Sequence, residues 1–163
     1  MKRLKIETKS ASGGSECAAL LMDVVPPVMG HIRREMRSHR APGISVPQLR
    51  TLIFLNRHEG ASLSEVADHI GLQLPTMSKT VDALVSRKLV LRKASSSDRR
   101  RISLKLSAQG IDVLRQTRSE AEADLAETLK SLTPAQQDSI VEALTALGAI
   151  FAPGKYLKAK KDV

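Results

Sequence analysis

Apolar residues recur at intervals of three or four along most of the chain, which is the spacing of amphipathic helices. In the central third, Ser45 followed by Gln48 and Ser62 followed by Glu65 have the spacing of helix capping boxes. Gly71 is placed to end the second of these helices. Because another helix follows at once, the pattern predicts two short helices joined by a tight turn, as in a helix-turn-helix.

The helix after Gly71 has its apolar residues on one side. Met77, Val81 and Leu84 repeat at i, i+4 and i+7 and are expected to face the core. The opposite face has small or polar residues, and such a face can enter a DNA major groove, where hydroxyls and lysine meet base edges and phosphates. An ordinary solvent-exposed helix face would look similar. The opposite face holds Pro75, Lys79, Asp82 and Ser86, flanked by Thr76, Ser78 and Ala83.

A β-hairpin is predicted directly after this helix. Leu89 to Lys93 and Arg101 to Leu106 read as strands, the second with strict alternation of apolar and polar residues. Helix-turn-helix followed by a two-stranded ribbon is the order of a winged helix-turn-helix. The loop carries Arg99 and Arg100, and Arg101 follows at the start of the second strand; arginine can bind phosphate or sit in the negative potential of a narrow minor groove. We expect Asp98 to accept hydrogen bonds from Arg100 or from loop amides and to fix the tip's shape.

Helical patterns also flank the central third. The first, from residue 15 to about 40, is interrupted by Pro26 and Pro27, where we expect a kink or a fresh helix start. A long helix capped by Ser107 is predicted to run to about Ser131, and a last helix follows Thr133. The apolar stripe of the last helix exceeds what packing on one side requires, so we interpret it as a subunit interface rather than only core. Its residues include Ile140, Leu144, Leu147, Ile150 and Phe151.

The net charge of +9 is unevenly distributed. Residues 1–44 carry eight Lys/Arg and four Asp/Glu (+4), residues 45–106 carry eleven and five (+6), and residues 107–163 carry seven and eight (−1). A basic central block next to an acidic helical one indicates a polyanionic partner for the centre. Charge that serves only solubility is the alternative.

Composition also narrows the class of protein. The apolar runs are too short to span a bilayer and the basic N-terminus lacks an apolar core, so we expect no membrane association and a cytoplasmic location. One cysteine excludes an internal disulfide, and the four histidines have no metal-ligand spacing. We therefore expect neither a metal nor a cofactor. Without a glycine-rich phosphate loop or a nucleophile elbow, we expect no catalysis.

The run SLSEVADHIGLQLPTMSKTVDALVSRKLVLRKASSSDRRRISLKLSAQG, from Ser62 to Gly110, resembles the MarR-type (multiple antibiotic resistance) transcriptional regulators. The similarity extends over about Ser45 to Phe151. It implies a homodimer with intertwined terminal helices, two winged domains on a pseudo-palindromic operator, and repression relieved by a small acidic or aromatic effector or by cysteine oxidation. On the family's pattern Thr76, Ser78 and Lys79 lie in the major groove and Arg100 reaches the minor groove.

Several positions depart from the family's pattern. Lys88 replaces the usual glycine after the recognition helix, where a left-handed lysine costs on the order of 1 kcal/mol unless the turn differs. Gln73 and Leu74 replace small polar caps, so the helix start is expected to shift, and Ala83 removes a frequent polar contact. Cys17 lies where one branch of the family senses peroxide, but the spacing differs and that branch's tyrosines are absent. We expect a buried, inert thiol.

These patterns predict a mainly α fold with a small two- to three-stranded β wing. The expected domains are a basic arm (1–14), an N-terminal helical dimerisation segment (15–44), a winged helix-turn-helix domain (45–106), C-terminal dimerisation helices (107–152) and a basic tail (153–163). The predicted function is a dimeric, sequence-specific regulator of transcription that binds double-stranded DNA, with repression released by an effector. The alternative is a winged-helix architectural or protein-interaction module that binds DNA without base specificity.

Overall fold

The secondary structure is mainly helical with one small antiparallel sheet, which confirms the predicted fold class. A computed structural model describes residues 13–94 and 102–152. The elements in chain order are α1 (Gly13–Ser38), α2 (Val46–Arg57), β1 (Ala61–Ser62), α3 (Leu63–Ile70), α4 (Leu74–Ser86), β2 (Val90–Ala94), β3 (Ile102–Leu106), α5 (Ala108–Leu129) and α6 (Pro134–Phe151).

Side-chain caps set where several helices begin, as the sequence predicts. The Ser62 hydroxyl accepts from the Glu65 amide, and the Glu65 carboxylate accepts from the Ser62 amide at 2.7 Å. Ser45 with Gln48 and Thr133 with Gln136 form the same reciprocal pair. These caps satisfy N–H groups that a helix start leaves without partners.

The first helix differs from the prediction in two respects. It runs without a break through Pro26 and Pro27, and it begins at Gly13, inside the segment expected to be an arm. A fresh helix start at the prolines is therefore wrong. Each proline removes the hydrogen bond of its own nitrogen and crowds the carbonyl four residues earlier, but the turns on both sides still hold the helix together. Residues 1–12 and 153–163, which include most of the predicted arm and the whole predicted tail, lie outside the described residues.

The sheet has the strand order β1-β3-β2, with both pairs antiparallel. β2 and β3 form the predicted hairpin, pairing Val90 with Leu106 at one end and Ala94 with Ile102 at the other. The short strand β1 adds a third member by pairing Ala61 with Leu104. The sheet thereby joins the segment before α3 to the root of the wing.

The chain divides into two compact units, Met1–Ala121 and Glu122–Val163. The described residues of the first unit form a hydrophobic core in which α2, α3, α4 and the sheet pack together. Among the described residues, no helix is long and apolar enough to cross a membrane. The largest fully buried side chains of this core are Leu49, Leu52, Leu55, Met77, Leu84 and Leu104.

Candidate nucleic-acid interface

Helix α4 is anchored in the core by one face. Met77, Val81 and Leu84 have no exposed surface, as their spacing predicts. Thr51 of α2 is also fully buried, and its hydroxyl lies 3.9 Å from the sulfur of Met77. Because three consecutive turns of α4 are fixed in this way, its rotation about its own axis is set by the core.

The opposite face of α4 is open to solvent. Every residue predicted for that face is exposed except the flanking Ser78 and Ala83, which are half-buried. The helix begins at Leu74, and Gln73 at its N-cap makes no side-chain capping bond. The face thus has the small, polar character the sequence predicted. Its exposed members are Pro75, Thr76, Lys79, Asp82 and Ser86.

An ion pair across α4 and β2 engages one of these residues. The Arg92 guanidinium donates to the Asp82 carboxylate at 2.6 Å, and the Ser78 hydroxyl lies 3.5 Å from the other carboxylate oxygen. Sequence reasoning placed Asp82 on the DNA side and did not identify Arg92. The sequence signal that could have identified Arg92 was strand alternation, which places Arg92 on the same side of β2 as the buried Val90.

The arginines predicted for the wing tip, Arg99, Arg100 and Arg101, and the supporting Asp98 lie outside the described residues. The described part of the wing is its root. There Lys93 pairs in register with Ser103, whose hydroxyl donates to the Lys93 carbonyl at 3.2 Å.

The turn after α4 adopts the left-handed conformation that the family's usual glycine suggested. Lys88 has a φ of 60°. The Lys88 amide donates to Val85 and the Leu89 amide to Leu84, at 2.8 and 2.9 Å, which is the hydrogen-bond pattern of a Schellman cap. A lysine therefore occupies the position that normally favours glycine.

Exposed apolar side chains cover the helices predicted to dimerise. In α6, Phe151 is 75% exposed and Ile150 69% exposed, while Leu147 is half-buried. Helix α1 contributes no buried residue. The thiol of Cys17 on α1 is also exposed, so the expectation that it is buried is wrong for the single chain. The large exposed apolar residues include Leu20, Met22, Val24 and Val28 on α1, and Ile140, Val141 and Leu144 on α6.

A cleft of about 300 Å³ lies between the α1–α2 loop and the first half of α5. His39 and Arg40 line one side, and Gln116 and Glu120 line the other. The His39 ring nitrogen Nδ1 lies 3.5 Å from the Glu120 carboxylate. The described lining contains no phenylalanine or tyrosine, so polar and charged groups dominate the chemistry of the cleft.

Comparisons with known proteins agree with this architecture. A model of the MarR family matches residues 43–101, which cover the winged helix-turn-helix up to the wing. The curated HTH-type transcriptional regulator YfiV of Bacillus subtilis, described as uncharacterized, is 27% identical over 104 residues. That match covers 64% of this chain and 65% of YfiV, slightly less than two thirds of the relative's length.

Solved structures have the same fold. Wild-type MarR from E. coli, in its apo form, superposes with a TM-score of 0.61 over 78% of this chain and 96% of its own, at 21% identity. A mutant of S. aureus MepR bound to an oligodeoxyribonucleotide gives a TM-score of 0.55 over 80% and 94%, at 20% identity. At these identities the likeness shows the fold alone. The matched family model and the curated regulator show that the winged helix-turn-helix part of the chain, residues 43–101, is similar to the MarR family of transcriptional regulators.

Proposed function

We propose that this protein is a dimeric repressor that binds duplex DNA through α4 and the wing and leaves the operator when a small effector binds. The observation that carries the proposal is the division of α4 into two faces. Met77, Val81 and Leu84 hold the helix in the core, while the opposite face presents small and polar groups around Lys79. A second helix of a helix-turn-helix with such a face fits a major groove.

Individual roles follow from side-chain chemistry and exposure. Thr76, Ser78 and Lys79 offer hydroxyl and ammonium donors to base edges and phosphates. Pro75 and Ser86 border this contact. The carboxylate of Asp82 would repel phosphates if it stood alone, but Arg92 compensates its charge at 2.6 Å.

The wing supplies the second contact in this proposal. Arg99, Arg100 and Arg101 would follow the neighbouring backbone or enter the minor groove, with Asp98 holding the loop's shape. The paired strands β2 and β3 support this assignment, because their register ends at Ala94 and Ile102, the described residues that flank positions 95–101. The +6 charge of residues 45–106 favours a polyanion here.

Dimerisation is supported by exposed apolar surface on the flanking helices. Side chains such as Leu144, Ile150 and Phe151 are more than half exposed in the single chain, and leaving them in water is unfavourable by about 25 cal/mol per Å². A second copy of the chain would cover them. The segments 15–44 and 107–152 would then form the dimerisation region, and each copy would present a winged domain, 45–106, to one half of a pseudo-palindromic operator.

The oligonucleotide in the MepR structure and the naming of YfiV as a transcriptional regulator support the DNA-binding role. For the effector, the cleft beside His39 offers the guanidinium of Arg40 and no phenylalanine or tyrosine in its described lining. This favours a small acidic compound over an uncharged aromatic one. A panel of small carboxylic acids, scored for release of bound DNA, tests this part of the proposal.

The main experiment measures binding of the full chain to its own upstream DNA and to a scrambled duplex of equal length. We expect tighter binding to the upstream DNA, with log K falling by about 0.9 per log unit of salt for each phosphate neutralised. Arg100→Ala should reduce both the affinity and this slope, whereas Lys130→Ala, in the second compact unit, should change neither. Equal affinity for both duplexes would instead support the architectural alternative.

A further inference from the structure

Arg87, the residue that follows α4, connects this helix to a distant part of the chain. Its two terminal guanidinium nitrogens donate to consecutive carbonyl groups of the α1–α2 loop, to Gly43 at 2.6 Å and to Pro42 at 3.0 Å. A planar guanidinium that grips two neighbouring acceptors fixes direction as well as distance. The two ends of this link lie more than forty positions apart in the sequence.

The loop is shaped to receive this guanidinium. Gly43 has a φ of +74°, and a Cβ atom added there would lie 2.9 Å from the Arg87 nitrogen Nη1. A side chain at position 43 would therefore meet both backbone strain and the arginine.

A second arginine, Arg40, fixes the conformation of the α1–α2 loop. The Arg40 guanidinium donates to the Ile44 carbonyl at 2.9 Å and to the Arg37 carbonyl at 2.6 Å. The Ile44 side chain is buried in the core. The loop is thus tied to the end of α1 by Arg40 and to the end of α4 by Arg87, and it cannot move freely relative to either.

The turn after α4, at Lys88 and Leu89, is also hydrogen-bonded to the start of α5. The Ser107 hydroxyl donates to the Lys88 carbonyl, and the Ser107 amide donates to the Leu89 carbonyl at 3.0 Å. Gly110 lies directly against the Leu89 carbonyl. The end of α4 is therefore a junction between the α1–α2 loop and the start of α5. The same loop and a later part of α5, from Val113 to Glu120, line the cleft.

We infer that Arg87 is a positioning residue that links the C-terminal end of α4 to the α1–α2 loop, so that a displacement of this loop is passed to α4 and changes DNA affinity. The inference rests on the proposed function. Arg87 is exposed and basic, so the competing explanation is a direct phosphate contact. The two explanations differ in salt dependence, since an arginine that contacts no phosphate contributes little to the counterion release that accompanies DNA binding.

The test compares Arg87→Gln with Arg115→Gln, which removes the same charge from an exposed i,i+3 ion pair on α5. We expect Arg87→Gln to weaken binding to the upstream duplex by about 2- to 30-fold with an unchanged salt slope. Arg87→Lys should restore part of the loss, because an ammonium can still bond one carbonyl. Arg115→Gln should bind as the parent chain does.

A second readout follows the loop without DNA. The Ile44 amide, which donates to the Ala41 carbonyl at 3.0 Å, should exchange its hydrogen faster in Arg87→Gln, while the Gly60 amide bonded to Leu104 should not. An unchanged Ile44 exchange rate, or a salt slope that falls by about 0.9, would overturn the inference. If the parent chain binds no duplex, the proposed function fails, whereas the exchange experiment still decides whether Arg87 restrains the loop.

Discussion

Gly110, in the first turn of α5, is buried against the turn that follows α4. A Cβ atom built there would overlap the carbonyl oxygen of Leu89 and lie 3.0 Å from its carbonyl carbon. Because the obstacle is backbone and not a flexible side chain, Gly110→Ala must displace either α5 or the turn at Leu89.

Two opposing effects set the size of the change. Replacing glycine by alanine inside a helix stabilises the folded state by about 0.8–1.0 kcal/mol through helix propensity. Overpacking of a tightly packed site costs about 1–3 kcal/mol. The steric effect should win, so we expect Gly110→Ala to lower the free energy of unfolding by up to about 2 kcal/mol.

Ala108→Gly provides a matched control in the same helical turn. Ala108 is exposed, so this change should report only the helix propensity, a loss of up to about 1 kcal/mol. Urea denaturation followed by circular dichroism measures both variants at fixed protein concentration, which matters because a dimer's stability depends on concentration. If Gly110→Ala raised the free energy of unfolding by as much as Ala108→Gly lowers it, the close contact between α5 and the turn would be refuted.

Three further changes have directions set by single contacts. Lys88→Gly should raise the free energy of unfolding by about 0.5–1 kcal/mol. The strain of a lysine in the left-handed conformation is larger than the entropy that a glycine adds to the unfolded chain. An unchanged or lower melting temperature would contradict this prediction. Ser62→Ala removes the reciprocal cap with Glu65 and should lower the free energy of unfolding by about 1 kcal/mol in the same urea denaturation. An unchanged value would contradict the contribution of this cap. Leu144→Glu should weaken dimerisation in analytical ultracentrifugation, whereas Thr145→Glu, at the neighbouring exposed position, should affect it less; equal behaviour of both variants would speak against the α6 stripe as the interface.

Local features of the fold were predictable from sequence because neighbouring residues determine them. The capping pairs of Ser45 and Ser62 depend on side chains three positions apart, and the buried face of α4 follows from helical periodicity at Met77, Val81 and Leu84. The left-handed conformation considered for Lys88 is also present, with a φ of 60°.

Features that depend on distant contacts were missed. Strand β1 is only two residues long and exists through its pairing with β3, so no period-two pattern could indicate it. The ion pair of Arg92 with Asp82 and the link from Arg87 to Pro42 require the tertiary arrangement of elements. The continuous helix through Pro26 and Pro27 was missed because the expectation considered the destabilisation by each proline and not the hydrogen-bonded turns on either side.

The central claim, that the exposed face of α4 reads bases in duplex DNA, is tested most directly by selecting preferred sequences from a random duplex library. The parent chain should enrich a twofold-symmetric motif, and Lys79→Ala should change the preferred base at the same position of each half-site while Lys130→Ala leaves the motif intact. No enriched motif for the parent chain, or an identical motif for Lys79→Ala, would contradict the claim.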